Sequence, residues 1–278
     1  MLQSGERILV LGGGNMGCAL IGGWLDAGLA LDALLVVDPH RGEALAKLIE
    51  RYGLRHETET PANFSPTVAL LAVKPQMMGD ALPPLKAALS PETLIVSIAA
   101  GTTVAALSKH LGEVDGQERP IVRAMPNTPS LIGRGITGAY PNAQVSEERR
   151  SVADTLLAAS GPVEWVDREA LIDAVTAVSG SGPAYVFHLA ECMAKAGEAM
   201  GLPADLAMRL ARHTVAGAGE LMIRSDETPA KLRQNVTSPN GTTQAGLDVL
   251  MDDFTGLPPL IERTVRSARD RAIALSRD

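Results

Sequence analysis

Residues 7–28 read RILVLGGGNMGCALIGGWLDAG. A short aliphatic run breaks into three consecutive glycines, and a helix-like stretch follows at once. Gly12, Gly14 and Gly17 have the spacing Gly-x-Gly-x-x-Gly. Between a strand and a helix, the first glycine permits a tight turn and the second lets a pyrophosphate approach the backbone. The third lets the helix pack closely on the strand. The helix start at Asn15 and Met16 offers unpaired N–H groups to phosphate. The stretch predicts a dinucleotide site in an α/β sheet; the competing reading is a glycine turn that is only structural.

Working outward, the same alternation continues for about 165 residues. Aliphatic runs recur at 33–38, 67–73, 93–99 and 120–125, separated by helix-like stretches at 43–53, 78–89 and 103–111. Runs this short, apolar on both faces and spaced by helices, predict buried strands of a parallel sheet with helices on both sides. Asp38 ends the second run, where an acidic side chain can accept hydrogen bonds from the adenine ribose and so favour NADH. Arg41 follows in DPHR and can pair with the extra phosphate of NADPH. The two cues conflict, and Asp38 can also simply open a turn with Pro39. The stretch LAVKPQ places Ala72, Val73, Lys74 and Pro75 at the carboxyl edge of the sheet, where ligands bind. Ala99 and Ala100, in SIAAG, end a later strand at that edge, and their small side chains would leave room for a nicotinamide ring.

After residue 165 the texture changes. Residues 182–201 and 203–225 read as long helices rich in Ala and Gly, with shorter helical pieces beyond them. The expected organisation is an N-terminal Rossmann-like doubly wound domain over 1–165 and an all-α domain over 166–278. The helical half has thin side chains, so pairing with a second copy is expected to complete its core.

Composition narrows the function classes. The chain has 278 residues, 46% hydrophobic and 21% charged, with a formal net charge of −7. No basic stripe is present, which argues against nucleic acid. No apolar run is long enough to cross a bilayer, and MLQSGERILV lacks a signal peptide's basic and apolar regions. Cys18 and Cys192 have no metal-ligand spacing, so the expectation is a reduced cytoplasmic protein without a metal site.

One polar stretch stands out in the apolar second half: TSPNGTTQAG, residues 237–246. Ser238-Pro239 should end one helix, since a residue before proline avoids helical geometry. Gly241 frees the backbone, and Thr242, Thr243 and Gln244 should begin the next helix. Their N–H groups lack intrahelical partners and sit at the positive end of a helix dipole. That is a receptor for a small carboxylate; the plainer reading is an N-cap by Ser238 or Thr242.

GGGNMG, AVKPQ, SIAAG, MPNTP, AVSGSGPAY and VTSPNGTTQAGL occur in this order, and together they resemble the pyrroline-5-carboxylate reductase family over almost the whole chain. The family usually has Gly-Gly where this chain has Asn240-Gly241, and Asn tolerates a left-handed backbone. The resemblance implies hydride transfer from NADH or NADPH to the C=N carbon of pyrroline-5-carboxylate, giving L-proline. It implies a homodimer, in some members a decamer, with the active site between one subunit's cofactor and a helical domain of the dimer. Thr243 would be catalytic, bonding the ring nitrogen, while Ser238, Gly241 and Thr242 bind substrate and Asn235 contacts the nicotinamide end. Glu169 and Thr176 would line the pocket, or serve capping and core roles. His188 and His213 read as structural or exposed, with no acidic or nucleophilic partner placed by sequence. Rival readings are a reductase of another cyclic imine, a β-hydroxyacid dehydrogenase using Lys195, and a non-catalytic NAD(P)H sensor.

Overall fold

The computed structural model describes residues 5–61 and 63–276; the ends of the two expected domains at 1–4 and 277–278 lie outside them. The chain divides into two compact units: Met1–Gly180 with Arg269–Asp278, and Ser181–Ala268.

The first unit is a doubly wound sheet. Its strands are β1 (Ile8–Leu11), β2 (Leu34–Val37), β3 (His56–Glu57), β4 (Val68–Leu71), β5 (Leu94–Ser97), β6 (Ile121–Met125), β7 (Thr137–Pro141) and β8 (Val163–Trp165). Its helices are α1 (Asn15–Asp26), α2 (Glu43–Tyr52), α3 (Met78–Lys86), α4 (Val104–Leu111), α5 (Glu147–Leu157) and α6 (Leu171–Val175). The spatial order is 3-2-1-4-5-6-7-8. The chain builds outward from β1 to β3, then returns to β4 on β1's other side, which puts the ligand crevice at the carboxyl ends of β1 and β4.

The side-chain period of two explains why the strands read as unbroken apolar runs. Ile8, Val10, Leu34, Val36, Val68, Leu70, Leu94 and Val96 face one layer, with Leu20, Ile21 and Trp24 of α1 and Leu156 of α5. Leu9, Leu11, Leu35, Val37, Ala69, Leu71 and Ile95 face the other, with Leu82 and Leu85 of α3 and Leu107 and Leu111 of α4. The Trp24 indole N–H donates to the Leu156 carbonyl at 2.7 Å, joining α1 to α5. Thr103 caps α4 by accepting from the Ala106 N–H, and Ser146 caps α5 by accepting from Arg149.

The sheet departs from the all-parallel expectation at one seam. β7 pairs antiparallel with β6, Val122 opposite Pro141, while β8 returns to parallel pairing with β7. The β6–β7 connection holds only a 3-10 turn, Thr128–Ile132, and has no crossover helix. The sequence of β7, TGAYP, carries a glycine and a proline, so it gives a weak strand signal.

The division between units falls at Gly180, later than the change in texture near residue 165. Arg123 of β6, only 3% exposed, donates to Glu169 Oε1 and Asp173 Oδ1, each at 3.1 Å. Glu169 Oε1 also accepts the Val104 N–H at 2.8 Å, at the start of α4. A Cβ on Gly138 of β7 would lie 2.6 Å from Val175 of α6, so the glycine lets α6 close on the sheet. A π turn, Thr176–Gly180, follows α6.

The second unit contains α7 (Gly182–Ala199), α8 (Ala204–Arg224), α9 (Pro229–Asn235), α10 (Thr242–Leu250) and most of α11 (Leu257–Leu275). Its buried apolar cluster is Ala194, Ala207 and Ala211. Three methyls at roughly 0.8 kcal/mol each do not offset about 1.5 kcal/mol for every residue ordered. Phe187, Met200, Ile223, Val249 and Phe254 are 63–89% exposed in the single chain. No helix among the described residues is long and apolar enough to cross a membrane.

Arg123→Met leaves two largely buried carboxylates without their cation. It is expected to destabilise the protein by about 3–5 kcal/mol, read as a shift in the urea unfolding free energy.

Candidate functional site

The glycine turn is built by close approach. Gly12 has φ +107°, and a Cβ there would lie 2.8 Å from the carbonyl carbon and oxygen of Ala72. The Gly12 N–H donates to Val37 O, and the Ala72 N–H to Leu11 O, both at 2.8 Å, so strand pairing continues into the turn. A Cβ on Gly17 would lie 2.6 Å from Gly12 O, while one on Gly14 would meet nothing within 4 Å. Gly12 thus makes the turn and Gly17 the close packing, while Gly14 has no neighbour where a side chain would stand. Gly14 is the N-cap of α1 and no side chain caps it, so the first N–H groups of the helix are left without a side-chain partner there. A pyrophosphate fits this cradle, because the one position where a Cβ would stay clear is the one it must reach.

Asp38 does not stand free at the end of β2. Its Oδ2 accepts the Gly13 N–H at 2.6 Å and its Oδ1 accepts the His40 N–H at 2.8 Å. The turn reading therefore describes much of its bonding. Arg41 Nε donates to His56 Nδ1 at 3.1 Å, and His56 Nε2 meets the Asp38 carbonyl at 2.8 Å. Sequence reading passed over His56 because a two-residue strand carries no periodic signal.

At the β4 edge, Ala72 and Val73 are half-buried, Lys74 is exposed, and Pro75 opens a 3-10 turn. Ala99 is buried and Ala100 exposed. At the next residue, a Cβ on Gly101 would lie 3.2 Å from Leu275 Cβ, so the smallness of this loop serves packing. Asn127 of MPNTP donates to Ser179 Oγ at 3.2 Å and accepts the Ile136 N–H at 3.0 Å. It fastens two of the motif stretches together, a task that only the tertiary structure reveals. Glu169 is engaged with Arg123 and α4 as above, and Thr176 Oγ1 donates to Ile172 O at 2.8 Å. Capping and core contacts describe both.

The late polar turn differs in detail from its expected form. α9 already ends at Asn235, ahead of Ser238-Pro239. The left-handed residue is Asn240, at φ +57°, whereas Gly241 is extended at φ −86° and ψ 174°. Gly241 is instead required by proximity: a Cβ there would lie 3.0 Å from Ser238 O. Gly241 is the N-cap of α10, and neither Ser238 nor Thr242 caps it. Thr242 and Thr243, the first two helical residues, are exposed. The plain N-cap reading fails here, and the helix start is left with donors for an anion. The Asn235 amide donates to Glu227 at 2.7 Å, and Gln244 to Asp248 at 2.6 Å.

His188 has the partners that sequence reading did not give it. Its Nδ1 lies 3.1 Å from Glu191 and its Nε2 3.5 Å from the Cys192 sulfur, all on the exposed surface of α7. The i, i+3, i+4 spacing carried that signal. Among the described residues, no three His, Cys, Asp or Glu side chains cluster as metal ligands.

Residues 169–275 match the family model described as pyrroline-5-carboxylate reductase dimerisation, and residues 7–101 match that of NADP oxidoreductase, coenzyme F420-dependent. The chain is 43% identical over 275 residues to a pyrroline-5-carboxylate reductase of Pseudomonas aeruginosa, covering 99% of this chain and 98% of that protein. The structure of a pyrroline-5-carboxylate reductase from Coxiella burnetii is similar, with a TM-score of 0.87, 33% identity and 98% of each chain covered. That of Plasmodium falciparum pyrroline carboxylate reductase with NADP bound has a TM-score of 0.81, 27% identity and 99% of each chain covered.

Two outcomes test this geometry. Cys18 donates to the Gly13 carbonyl, and burial, then the Asp38 charge, pushes its thiol up to about 11 from an ordinary 9.0. A raised pKa means that the neutral thiol's contribution to stability is complete below pH 9 and is lost as pH rises towards 11. At pH 8 the folded protein should alkylate at Cys18 on the order of 100-fold more slowly than the unfolded chain, read by mass spectrometry. Asn240→Ala removes the short polar side chain that makes the left-handed region tolerable and should cost about 1 kcal/mol in urea unfolding; Asn240→Gly should not.

Proposed function

We infer the activity of this chain from its kin: it belongs to the pyrroline-5-carboxylate reductase family, and it reduces L-1-pyrroline-5-carboxylate to L-proline with NAD(P)H. The observation that carries the chemistry is the uncapped start of α10 behind a left-handed Asn240. A substrate with one carboxylate and no phosphate needs a receptor of this kind, small and without a cation of its own.

In this reading Gly12, Gly14, Asn15, Met16 and Gly17 hold the cofactor's pyrophosphate. Asp38 and Arg41 serve its adenosine end. Ala72, Val73, Lys74, Pro75, Ala99 and Ala100 line its course, and Asn235 contacts the nicotinamide. When bound, the reduced nicotinamide supplies the hydride that adds to the C=N carbon. The N–H groups of Thr242 and Thr243 fix the substrate carboxylate, while the Gly241 N–H donates to the Ser238 carbonyl at 3.0 Å and closes the turn. The Thr243 hydroxyl bonds the ring nitrogen and orients the C=N plane. An imine that arrives protonated from solvent needs no dedicated acid, in keeping with a turn that holds neither His nor Cys.

The thin alanine core of the second unit and its exposed apolar side chains support a homodimer. Two cysteines without metal-ligand spacing support a reduced, cytoplasmic setting.

Pyrroline-5-carboxylate should drive rapid oxidation of NAD(P)H, followed by absorbance; tight cofactor binding without turnover of any cyclic imine would sink the reading in favour of a sensor. Thr243→Ala should lower kcat by roughly ten- to a hundredfold, and an unchanged kcat removes Thr243 from the mechanism. Sedimentation at micromolar protein should give a dimer mass, and a monomer overturns the assembly.

A further inference from the structure

The chemistry that selects the cofactor is set at the corner where β2 ends. Selecting a free 2′-hydroxyl requires a carboxylate facing the ribose. Here both Asp38 oxygens are drawn to the main chain, to Gly13 at 2.6 Å and to His40 at 2.8 Å. Two further acidic side chains near this corner also have partners: Glu43 with Lys47 at 2.7 Å, and Glu57 with Arg55 at 3.4 Å.

Arg41 is arranged for the opposite task. Its Nε is spent on His56 Nδ1 at 3.1 Å, and its four other N–H groups remain on an exposed fork suited to phosphate. His56 sits opposite Val36 in the β2–β3 register. Because Nδ1 accepts from Arg41, Nε2 must carry the proton, and it donates to the Asp38 carbonyl at 2.8 Å. The imidazole is thus a strut between Asp38, the residue after β2, and the guanidinium. A long side chain that is already ordered loses less freedom on binding.

We propose that His56 is a positioning residue that presents Arg41 to the 2′-phosphate of NADPH, making this enzyme NADPH-selective. The proposal rests on the reductase reading only for its kinetic arm; its binding arm stands apart.

The full-length protein would be titrated calorimetrically with adenosine 2′,5′-bisphosphate and with 5′-AMP, and kcat/KM measured with NADPH and NADH. Wild type should bind the bisphosphate on the order of tenfold or more tightly than 5′-AMP, the scale of a charge-assisted hydrogen bond. Arg41→Ala should reduce the NADPH/NADH ratio by roughly 10- to 100-fold, through KM rather than kcat. His56→Ala should reduce the ratio by roughly threefold or more, and His56→Gln, whose amide offers an acceptor and a donor, should restore part of it. Equal affinity of wild type for the two nucleotides overturns the phosphate assignment. A ratio unmoved by His56→Ala, or a loss shared equally by 5′-AMP, overturns the positioning role. Bisphosphate selectivity in a protein that reduces no pyrroline-5-carboxylate would leave this inference standing and remove the activity.

Discussion

The peptide of Ala72 passes so close to Gly12 that no side chain fits between them, and that proximity governs the nucleotide-binding unit. It brings the ends of β1 and β4 together at the point where the chain changes its direction of travel across the sheet. It also turns the backbone so that α1 starts over β1, with Gly17 against Gly12 O. An anion site follows without any charged side chain, because donors unpaired at a helix start converge on the gap that Gly14 leaves open.

The second unit uses the same physics with a different residue. Asn240 supplies the left-handed turn and Gly241 the close approach, so α10 also begins without a cap. The two helix starts meet different demands: one suits a pyrophosphate, the other a single carboxylate. In the same unit, alanine and glycine allow α7 and α8 to approach closely, with Gly197 and Ala207 in near contact. That economy leaves large apolar side chains such as Phe254 uncovered in the single chain.

The central strands were legible because both faces are buried, so each reads as an aliphatic run bounded by turns. β7 and β8 were not, since TGAYP and VEW lie towards an edge and carry residues that weaken the strand pattern. The place of α6 was hidden because it depends on Arg123, a lone cation in an apolar strand whose partners lie some fifty residues away. The turn at Gly12 and the close packing at Gly17 were readable from their spacing. At the polar turn the uncapped helix start was foreseen, but the exchange of duties between Asn240 and Gly241 needed dihedral angles. The bonds that engage Asp38 and tie Arg41 to His56 arise from the pairing of β2 with β3, which no local pattern announces.

The end of α11 belongs to the first unit, where Leu275 packs against the glycine loop after β5. During synthesis the whole sheet leaves the ribosome long before that residue is made. The loop after β5 therefore gains this lining only once α11 has been made, long after the last strand of its own sheet.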